Sequence, residues 1–383
     1  MKPIVPCRIL DRRRLMKTNT QSPQWPDLAH HLVGALKVTA GSRVSVFMTD
    51  YAAMPAVAAF VDACYHLGAL PQVSASDESF DDSALRHASD ELLKVPAPLE
   101  MASMEWADIH VSFRAMVPPV SEPDFRKAAL LRQAKGAIST KRWENTTWCV
   151  VRIPTPAWAE MIQVSFPTLL GEFFDGCLMD WPAVQQRQLA LCEVLNQGSV
   201  VRVRSHDTDI SFGVANRTWV SFAGEANLPD GEVATAPLDD STQGHITFGD
   251  DLWFAGTRIS GLRLSFDAGV VVDVTADHGE DFARALIASD EGATRVGELG
   301  IGTNPTMTTY TGDLFLDEKI LGTMHLAMGR AYPECGGVNK SALHWDLVKD
   351  LRTTGDSMSV DSTDLISDGH VVGPLAGCST SAP

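Results

Sequence analysis

The stretch GSRVSVFMTD, residues 41–50, places a short apolar run between Gly41 and the polar residues Thr49 and Asp50. An apolar run of this length between turn-forming residues is typical of a buried β-strand. Residues 52–67 follow it and carry apolar side chains at helical spacing. A buried strand that leads into a helix predicts one unit of a parallel sheet with helices on its faces.

The same alternation continues outward from this unit to residue 153. It predicts further strands at 70–73, 109–113 and 148–153, and helices at 83–93 and 123–137. We therefore expect an α/β domain with a mostly parallel sheet. The first strand is not followed by a G-x-G-x-x-G stretch, so the pattern does not support a dinucleotide site.

The period of the pattern changes after Gly198. Residues 156–197 look helical, whereas short strands with period two are predicted at 200–203, 208–214, 218–222 and 245–248. Asp267, Ala268 and Gly269 separate two more strands, 262–266 and 270–274, as in a hairpin. One helix, 278–289, precedes the glycine-rich segment 297–304. We expect two domains, an α/β domain at 1–197 and a β-rich (α+β) domain at 198–383 that carries the metal-type residues described below.

Composition narrows the classes of partner. The chain has 383 residues and a net charge of −17, which argues against nucleic acid or an anionic membrane as a partner. Its seven cysteines include no C-x-x-C pair, a pattern that indicates reduced thiols in a cytoplasmic protein. The first residues contain no continuous apolar stretch, so we expect neither a signal peptide nor a membrane span there.

The last hundred or so residues contain a dense set of side chains that bind metals. Glu298 lies in RVGELGIGTNP, Glu318 and His325 lie in DEKILGTMHLAMG, and His344 and Asp346 lie in ALHWDLV. Residues two apart in a strand point to the same face, so the last pair can reach one ion. Imidazoles and carboxylates in an apolar, glycine-rich context are what a divalent-metal site needs.

Taken singly, several of these residues have plainer interpretations. A lone histidine such as His325 is more often a core residue, and Glu318, or Glu232 in NLPDGEVATAP, is more often solvated. Glu298 is different, because a carboxylate within V-G-E-L-G-I-G is costly to bury unless it is paired or metal-bound. Together the four carboxylates and two imidazoles suffice for two divalent ions with one bridging carboxylate. Tyr332 is either a buried aromatic or a hydrogen-bond donor to a developing oxyanion.

At these residues the chain resembles the thermophilic-aminopeptidase family of metallopeptidases, called aminopeptidase T or aminopeptidase S. The similar stretches occur in the family's order: TDISFGV, NLPDGEVATAP, GELGIGTNP, DEKILGTMHLAMGRAY and NKSALHWD. The N-terminal stretches GSRVSVFMTD, GALPQVSAS and EWADIHVSF are also similar, so the resemblance covers most of the chain.

The resemblance implies roles for individual residues. Glu298 matches the glutamate that bridges two metals, Glu318 the general base and Tyr332 the catalytic tyrosine. The other implied metal ligands are Glu232, His325, His344 and Asp346. Family members are dimers that use zinc, cobalt or magnesium to remove N-terminal residues. We therefore expect a cytoplasmic homodimeric aminopeptidase that binds two divalent ions (zinc, cobalt, manganese or magnesium) and a short-peptide or small-molecule substrate.

Other functions remain open at this point. A ring-opening dioxygenase of dihydroxypyridine has the same fold, and His325, His344 and Asp346 would be its facial triad for iron(II). That branch lacks the matching N-terminal-side glutamate, so the three glutamates here favour the two-metal hydrolase. A hydrolase of a non-peptide amide or amine and a metal-stabilised binding protein are further alternatives. The segment KILGTM is longer than in the best-known peptidases, and the stretch from His325 to His344 is shorter, which bears on the substrate more than on the metal.

Overall fold

A computed structural model describes residues 24–77, 79–119, 124–249 and 251–379. Its helices are α1 (Gln24–Ala35), α2 (Met54–His66), α3 (Ser79–His87), α4 (Asp90–Leu93), α5 (Pro98–Trp106), α6 (Phe125–Asn145), α7 (Pro156–Met161), α8 (Phe166–Cys177), α9 (Trp181–Leu195), α10 (Glu280–Ile287) and α11 (Leu314–Asp317). No helix within these ranges has the length and apolar character needed to cross a membrane.

The strands alternate with these helices at first and then follow one another. They are β1 (Arg43–Met48), β2 (Leu70–Ala75), β3 (Ile109–Ala115), β4 (Thr147–Ile153), β5 (Val200–Ser205), β6 (Thr208–Gly213), β7 (Val220–Phe222), β8 (Asn227–Leu228), β9 (Glu232–Thr235), β10 (Gln243–Phe248), β11 (Leu252–Phe254), β12 (Thr257–Ile259), β13 (Leu262–Asp267), β14 (Val270–Thr275), β15 (Val296–Gly302), β16 (Thr323–Gly329), β17 (His344–Asp350), β18 (Ser357–Val360), β19 (Thr363–Ser367) and β20 (His370–Val371).

The N-terminal half contains a parallel sheet with the strand order β2-β1-β3-β4-β8. Val46, Val111 and Val151 on its three central strands are fully buried in one apolar core. The predicted α/β domain is confirmed. The edge strand β8 comes from beyond residue 197 and pairs with Val150 and Val151 of β4. This pairing anchors the chain just before Glu232, which begins β9.

The C-terminal half is built from antiparallel sheets, as predicted for a β-rich region. One has the order β14-β13-β10-β6-β5-β18-β19-β20, and another has the order β17-β16-β15-β9-β7. Buried side chains from both, including Phe212, Phe248, Leu326 and Trp345, belong to one core. The hairpin predicted at residues 267–269 is present, with Ala268 and Gly269 at positive φ between β13 and β14.

Some elements differ from the sequence pattern. The single helix predicted at 83–93 is two short helices, because Ser89 caps a new helix by accepting from the amide of Leu92. Helix α5 was missed. The predicted helix 123–137 is α6, which continues to Asn145, although its last residues, ISTKRWEN, lack an apolar period; Pro123 lies outside the described residues. The domain boundary near 197 falls between α9 and β5 and stays a prediction.

Candidate metal centre

Four neighbouring strands of one antiparallel sheet position the predicted ligands. In the order β17-β16-β15-β9, each strand contributes at least one metal-type residue. The register places Ala327 opposite Asp346, Gly300 opposite His325 and Gly302 opposite Glu232. Trp345 and Leu347, which alternate with the ligand residues on β17, are buried in the core, as the period-two pattern predicts.

The sheet brings the ligand residues together in two groups that share Glu298. Glu232, Glu298 and His325 form one group, and Glu298, His344 and Asp346 form the other, each with its ligand atoms within 4.8 Å of one another. Oε1 of Glu298 lies 3.6 Å from Nε2 of His325, and Oε2 lies 3.4 Å from Nε2 of His344. The two oxygens of one carboxylate therefore face two different imidazoles, the arrangement expected of a bridging ligand.

The donor atoms fit divalent cations. Oε2 of Glu232 is buried without a hydrogen bond within the described residues, and Nε2 of His325 lies 3.4 Å from it. Nδ1 of His344 lies 3.0 Å from the carbonyl oxygen of Arg330, and only a protonated Nδ1 can donate to it. With Nδ1 committed to this contact, Nε2 is the atom of His344 that can bind a metal once its own proton is displaced, as is usual for metal-binding histidines. A buried carboxylate oxygen is costly unless a positive charge lies near it, and a bound metal ion would supply that charge when the imidazole loses its proton.

A buried lysine that the sequence analysis missed completes the centre. Nζ of Lys319 lies 2.6 Å from Oε1 of Glu232, 2.7 Å from Oε1 of Glu318 and 4.0 Å from Oδ1 of Asp230. The lysine side chain is fully buried. In the sequence, the consecutive charged residues Asp317, Glu318 and Lys319 resemble a solvated turn. The structure instead buries all three side chains at the end of α11. One ammonium group thus serves three buried carboxylates.

The two predicted catalytic residues line the same cavity as the ligands. This cavity has a volume of about 720 Å³, and Glu298, Glu318 and Tyr332 all contribute to its wall. Burial, opposed by Lys319, raises the pKa of Glu318 well above its ordinary value. The hydroxyl of Tyr332 lies 3.2 Å from Nε2 of His344, and its ring stacks on Trp143 with a centroid distance of 4.8 Å.

Gly300 explains part of the glycine-rich motif. A Cβ atom at this position would lie 2.0 Å from Cε1 and 2.1 Å from Nε2 of His325. We expect Gly300→Ala to push the imidazole out of place and to weaken metal binding by about 10- to 100-fold, as when a ligand loses its support. Metal titration by calorimetry measures the change. Gly34→Ala, where a Cβ meets open space, is the control and should keep wild-type affinity; equal affinity in both variants would contradict the assignment of His325.

Metal binding should depend on pH through the two histidines. Burial alone would lower the pKa of each imidazole. In the metal-free chain, however, Glu232 raises the pKa of His325 to about 9, and Asp346 raises the pKa of His344 to about 10. Both imidazoles are therefore protonated at pH 7, and an ion must displace a proton from each. We expect about one proton released per histidine and an affinity that rises with pH below about 9. Calorimetry in buffers of different ionisation enthalpy counts the protons, and a pH-independent affinity without proton release would contradict this.

Carboxylates and histidines that converge in this way are typical of divalent-metal enzymes, hydrolases among them. The chain belongs to the thermophilic metalloprotease (M29) family, whose profile matches residues 26–370. The predicted family and the metallopeptidase class are thereby confirmed. Cys335 belongs to neither of the two groups and is buried beside Ala236 and Ala331 in a small apolar cluster.

Individual relatives agree with this family. The chain is 25% identical to aminopeptidase 2 of Geobacillus stearothermophilus over 327 residues, 71% of this chain and 78% of that protein. It is 28% identical to aminopeptidase T of Thermus aquaticus over 215 residues, which is 49% of this chain and 53% of that protein. The matched region thus spans about half the length of the second relative.

Solved structures share the fold. Wild-type AmpT from Thermus thermophilus superposes with a TM-score of 0.72 at 23% identity, covering 94% of this chain and all of that one. The 2,5-dihydroxypyridine dioxygenase of Pseudomonas putida KT2440 superposes with a TM-score of 0.56 at 17% identity, covering 92% of this chain and 97% of that one. These likenesses confirm the predicted combination of an α/β region and a β-rich region.

Proposed function

We propose that this chain is a metal-dependent aminopeptidase that releases the N-terminal residue of short peptides. The observation that carries the proposal is Glu298, whose two oxygens face the imidazoles of two ligand groups. Membership of a metalloprotease family and the names of the curated relatives, which are aminopeptidases, support the same activity.

Two divalent ions would fit the two ligand groups. Glu232, Glu298 and His325 would hold one ion, and Glu298, His344 and Asp346 would hold the other. Zinc, cobalt, manganese and magnesium are the candidates. Such ions, when bound, lower the pKa of a water molecule and polarise a carbonyl group. Once His325 and His344 give up their protons, Lys319 is the cation recorded against Glu232 and Glu318, so the buried carboxylates favour binding of further positive charge.

The protein's own side chains would handle the proton and the developing charge. We assign Glu318 as the group that accepts a proton from the attacking water and delivers it to the leaving amine, because its carboxyl lines the cavity beside the ligand groups and burial raises its pKa above the ordinary value, which makes it a stronger base. Lys319 holds this carboxylate in place through one oxygen. Tyr332, fixed between Trp143 and His344, would donate to the oxyanion.

The ring-cleaving alternative fits the geometry less well. Its triad would be His325, His344 and Asp346, but His325 groups with Glu232 and Glu298, whereas the other two group with Glu298. Glu232 and Glu298 therefore lie among the ligand residues, although a three-residue iron site does not require them. The structural likeness to the dioxygenase, at 17% identity, speaks for the fold only.

We also propose a cytoplasmic homodimer. Six cysteines in the described part of the chain are unpaired, which is usual in a reducing compartment. The dimer follows from the resemblance to aminopeptidase T and S, and sedimentation of the purified chain tests it.

Cleavage of paired peptides tests the proposed activity. Zinc- or cobalt-loaded protein is incubated with leucyl-glycyl-glycine and with its N-acetylated form, and released leucine is measured. We expect release from the free peptide only, because an aminopeptidase must recognise the free amino group. Equal cleavage of the acetylated peptide would overturn the exopeptidase assignment, and no cleavage of either one would count against peptides as substrates.

A further inference from the structure

One face of α6 forms the cavity wall that carries positive charge. Its cavity-lining residues recur at helical spacing: Ala128, Leu131, Arg132, Lys135, Ser139, Arg142 and Trp143. The cations along this face have different partners. Lys135 forms an ion pair with Asp81, whereas the guanidinium of Arg132 lies over the ring of Phe254. Arg142 lies near the C-terminal end of the helix, and its surroundings differ from those of Lys135.

Within the described part of the chain, Arg142 has no acidic partner. Its guanidinium lies over the ring of Trp148 with a distance of 4.3 Å from Cζ to the centroid. Its Nε is buried and has no hydrogen-bond partner, and no carboxylate within the described ranges forms an ion pair with it. Burial and the neighbouring charge of Arg114 lower the pKa of Arg142 to about 9. A half-buried cation without a counter-ion is less well solvated than an exposed one, so an anion from outside the chain would bind to it favourably.

The position of Arg142 relative to the metal centre indicates which anion. The next residue, Trp143, stacks on Tyr332, whose hydroxyl contacts His344. Arg142 therefore lies in the same cavity as the metal ligands, on the wall formed by the other half of the chain. The cavity has an acidic region at the metal centre and a basic region at Arg142. Its volume of about 720 Å³ is within the usual range for small-ligand sites.

We propose that Arg142 binds a carboxylate of the substrate, namely the free C-terminal carboxylate of a short peptide whose amino end lies at the metal centre. The inference rests on the proposed aminopeptidase function and narrows its substrates to dipeptides and tripeptides. Arg142 supplies two parallel N–H donors to the carboxylate while its flat face stays on Trp148. Longer peptides and peptide amides then lose this contact.

Matched substrates and variants test the proposal. The zinc-loaded protein should hydrolyse leucyl-alanine with a kcat/KM about 10- to 100-fold higher than leucyl-alaninamide, mainly through KM. Arg142→Met should abolish this preference by slowing hydrolysis of the free acid, and Arg142→Lys should keep part of it. Lys141→Met removes the same charge from the adjacent position, which pairs with Glu105, and should retain the preference. A wild-type protein without the preference, or an Arg142→Met variant that keeps it, would overturn the proposal.

Two further arms identify the carboxylate and separate this proposal from the aminopeptidase activity. A preference for leucyl-glutamyl amide over leucyl-glutaminyl amide that depends on Arg142 supports the carboxylate site but assigns it to an acidic side chain. Calorimetry with the zinc-loaded Glu318→Gln variant measures binding without turnover. There leucyl-alanine should bind at least about tenfold more tightly than its amide, and adding Arg142→Met should remove the difference. Equal binding of both ligands overturns the carboxylate site whether or not peptides are cleaved.

Discussion

Glu298→Gln is expected to lower peptide hydrolysis by at least about a thousandfold and to remove most of the bound metal. The carboxylate is shared by both ligand groups, and an amide offers one acceptor oxygen and no negative charge. Although burial favours the neutral acid, His325 and His344 hold the pKa of Glu298 well below its ordinary value, so the wild-type group is ionised. Metal analysis after gel filtration and single-peptide kinetics measure the two effects.

The control for this variant is Glu291→Gln. Glu291 lies seven residues earlier and is exposed, so the same chemical change there should leave metal content and rate at wild-type values. Circular dichroism checks that Glu298→Gln is folded. We expect it to be, because the glutamine side chain is no larger than the glutamate side chain. Full activity together with a full metal complement in Glu298→Gln would remove this residue from the centre.

Lys319→Met is expected to destabilise the metal-free protein by about 3–5 kcal/mol, the usual cost of removing one partner from a buried ion pair. Asp230, Glu232 and Glu318 would remain buried without the ammonium that now contacts them. A bound divalent ion supplies replacement charge near Glu232, so zinc should stabilise the variant more than it stabilises the wild type. Urea unfolding with chelator and with zinc measures both quantities.

The exposed Lys340 provides the comparison for Lys319. Lys340→Met removes the same charge from the surface and should change the free energy of unfolding by less than about 0.5 kcal/mol. If Lys319→Met changed the free energy of unfolding of the metal-free protein by an equally small amount, this would contradict the conclusion that the ammonium offsets the buried carboxylates.

Local periodicity predicted much of this site. Period two in ALHWDLV placed His344 and Asp346 on one face and Trp345 in the core, as the structure has them. The cost of burying a charge made Glu298 conspicuous in a run of glycine and apolar residues. These arguments need only a strand and its two neighbours in sequence.

What the sequence could not predict depends on contacts between distant segments. Lys319 adjoins Glu318 in the chain, but its contact with Glu232 depends on β8, which pairs with β4 of the first sheet just before Glu232. Gly300 must lack a side chain because His325 lies opposite it on another strand. Arg142 lies beyond the predicted end of its helix, where polar residues hide the helical pattern.

Zinc titration of the metal-stripped protein, with leucine release from leucyl-alanine as the readout, is the most direct test of the proposed metal-dependent aminopeptidase. We predict no release in chelator, recovery on adding zinc, and a plateau at about two equivalents per chain, as two ligand groups with one bridging carboxylate require. Full hydrolysis in the chelated protein would contradict the account. So would metal-loaded protein that leaves the peptide intact but takes up oxygen with iron(II) and dihydroxypyridine.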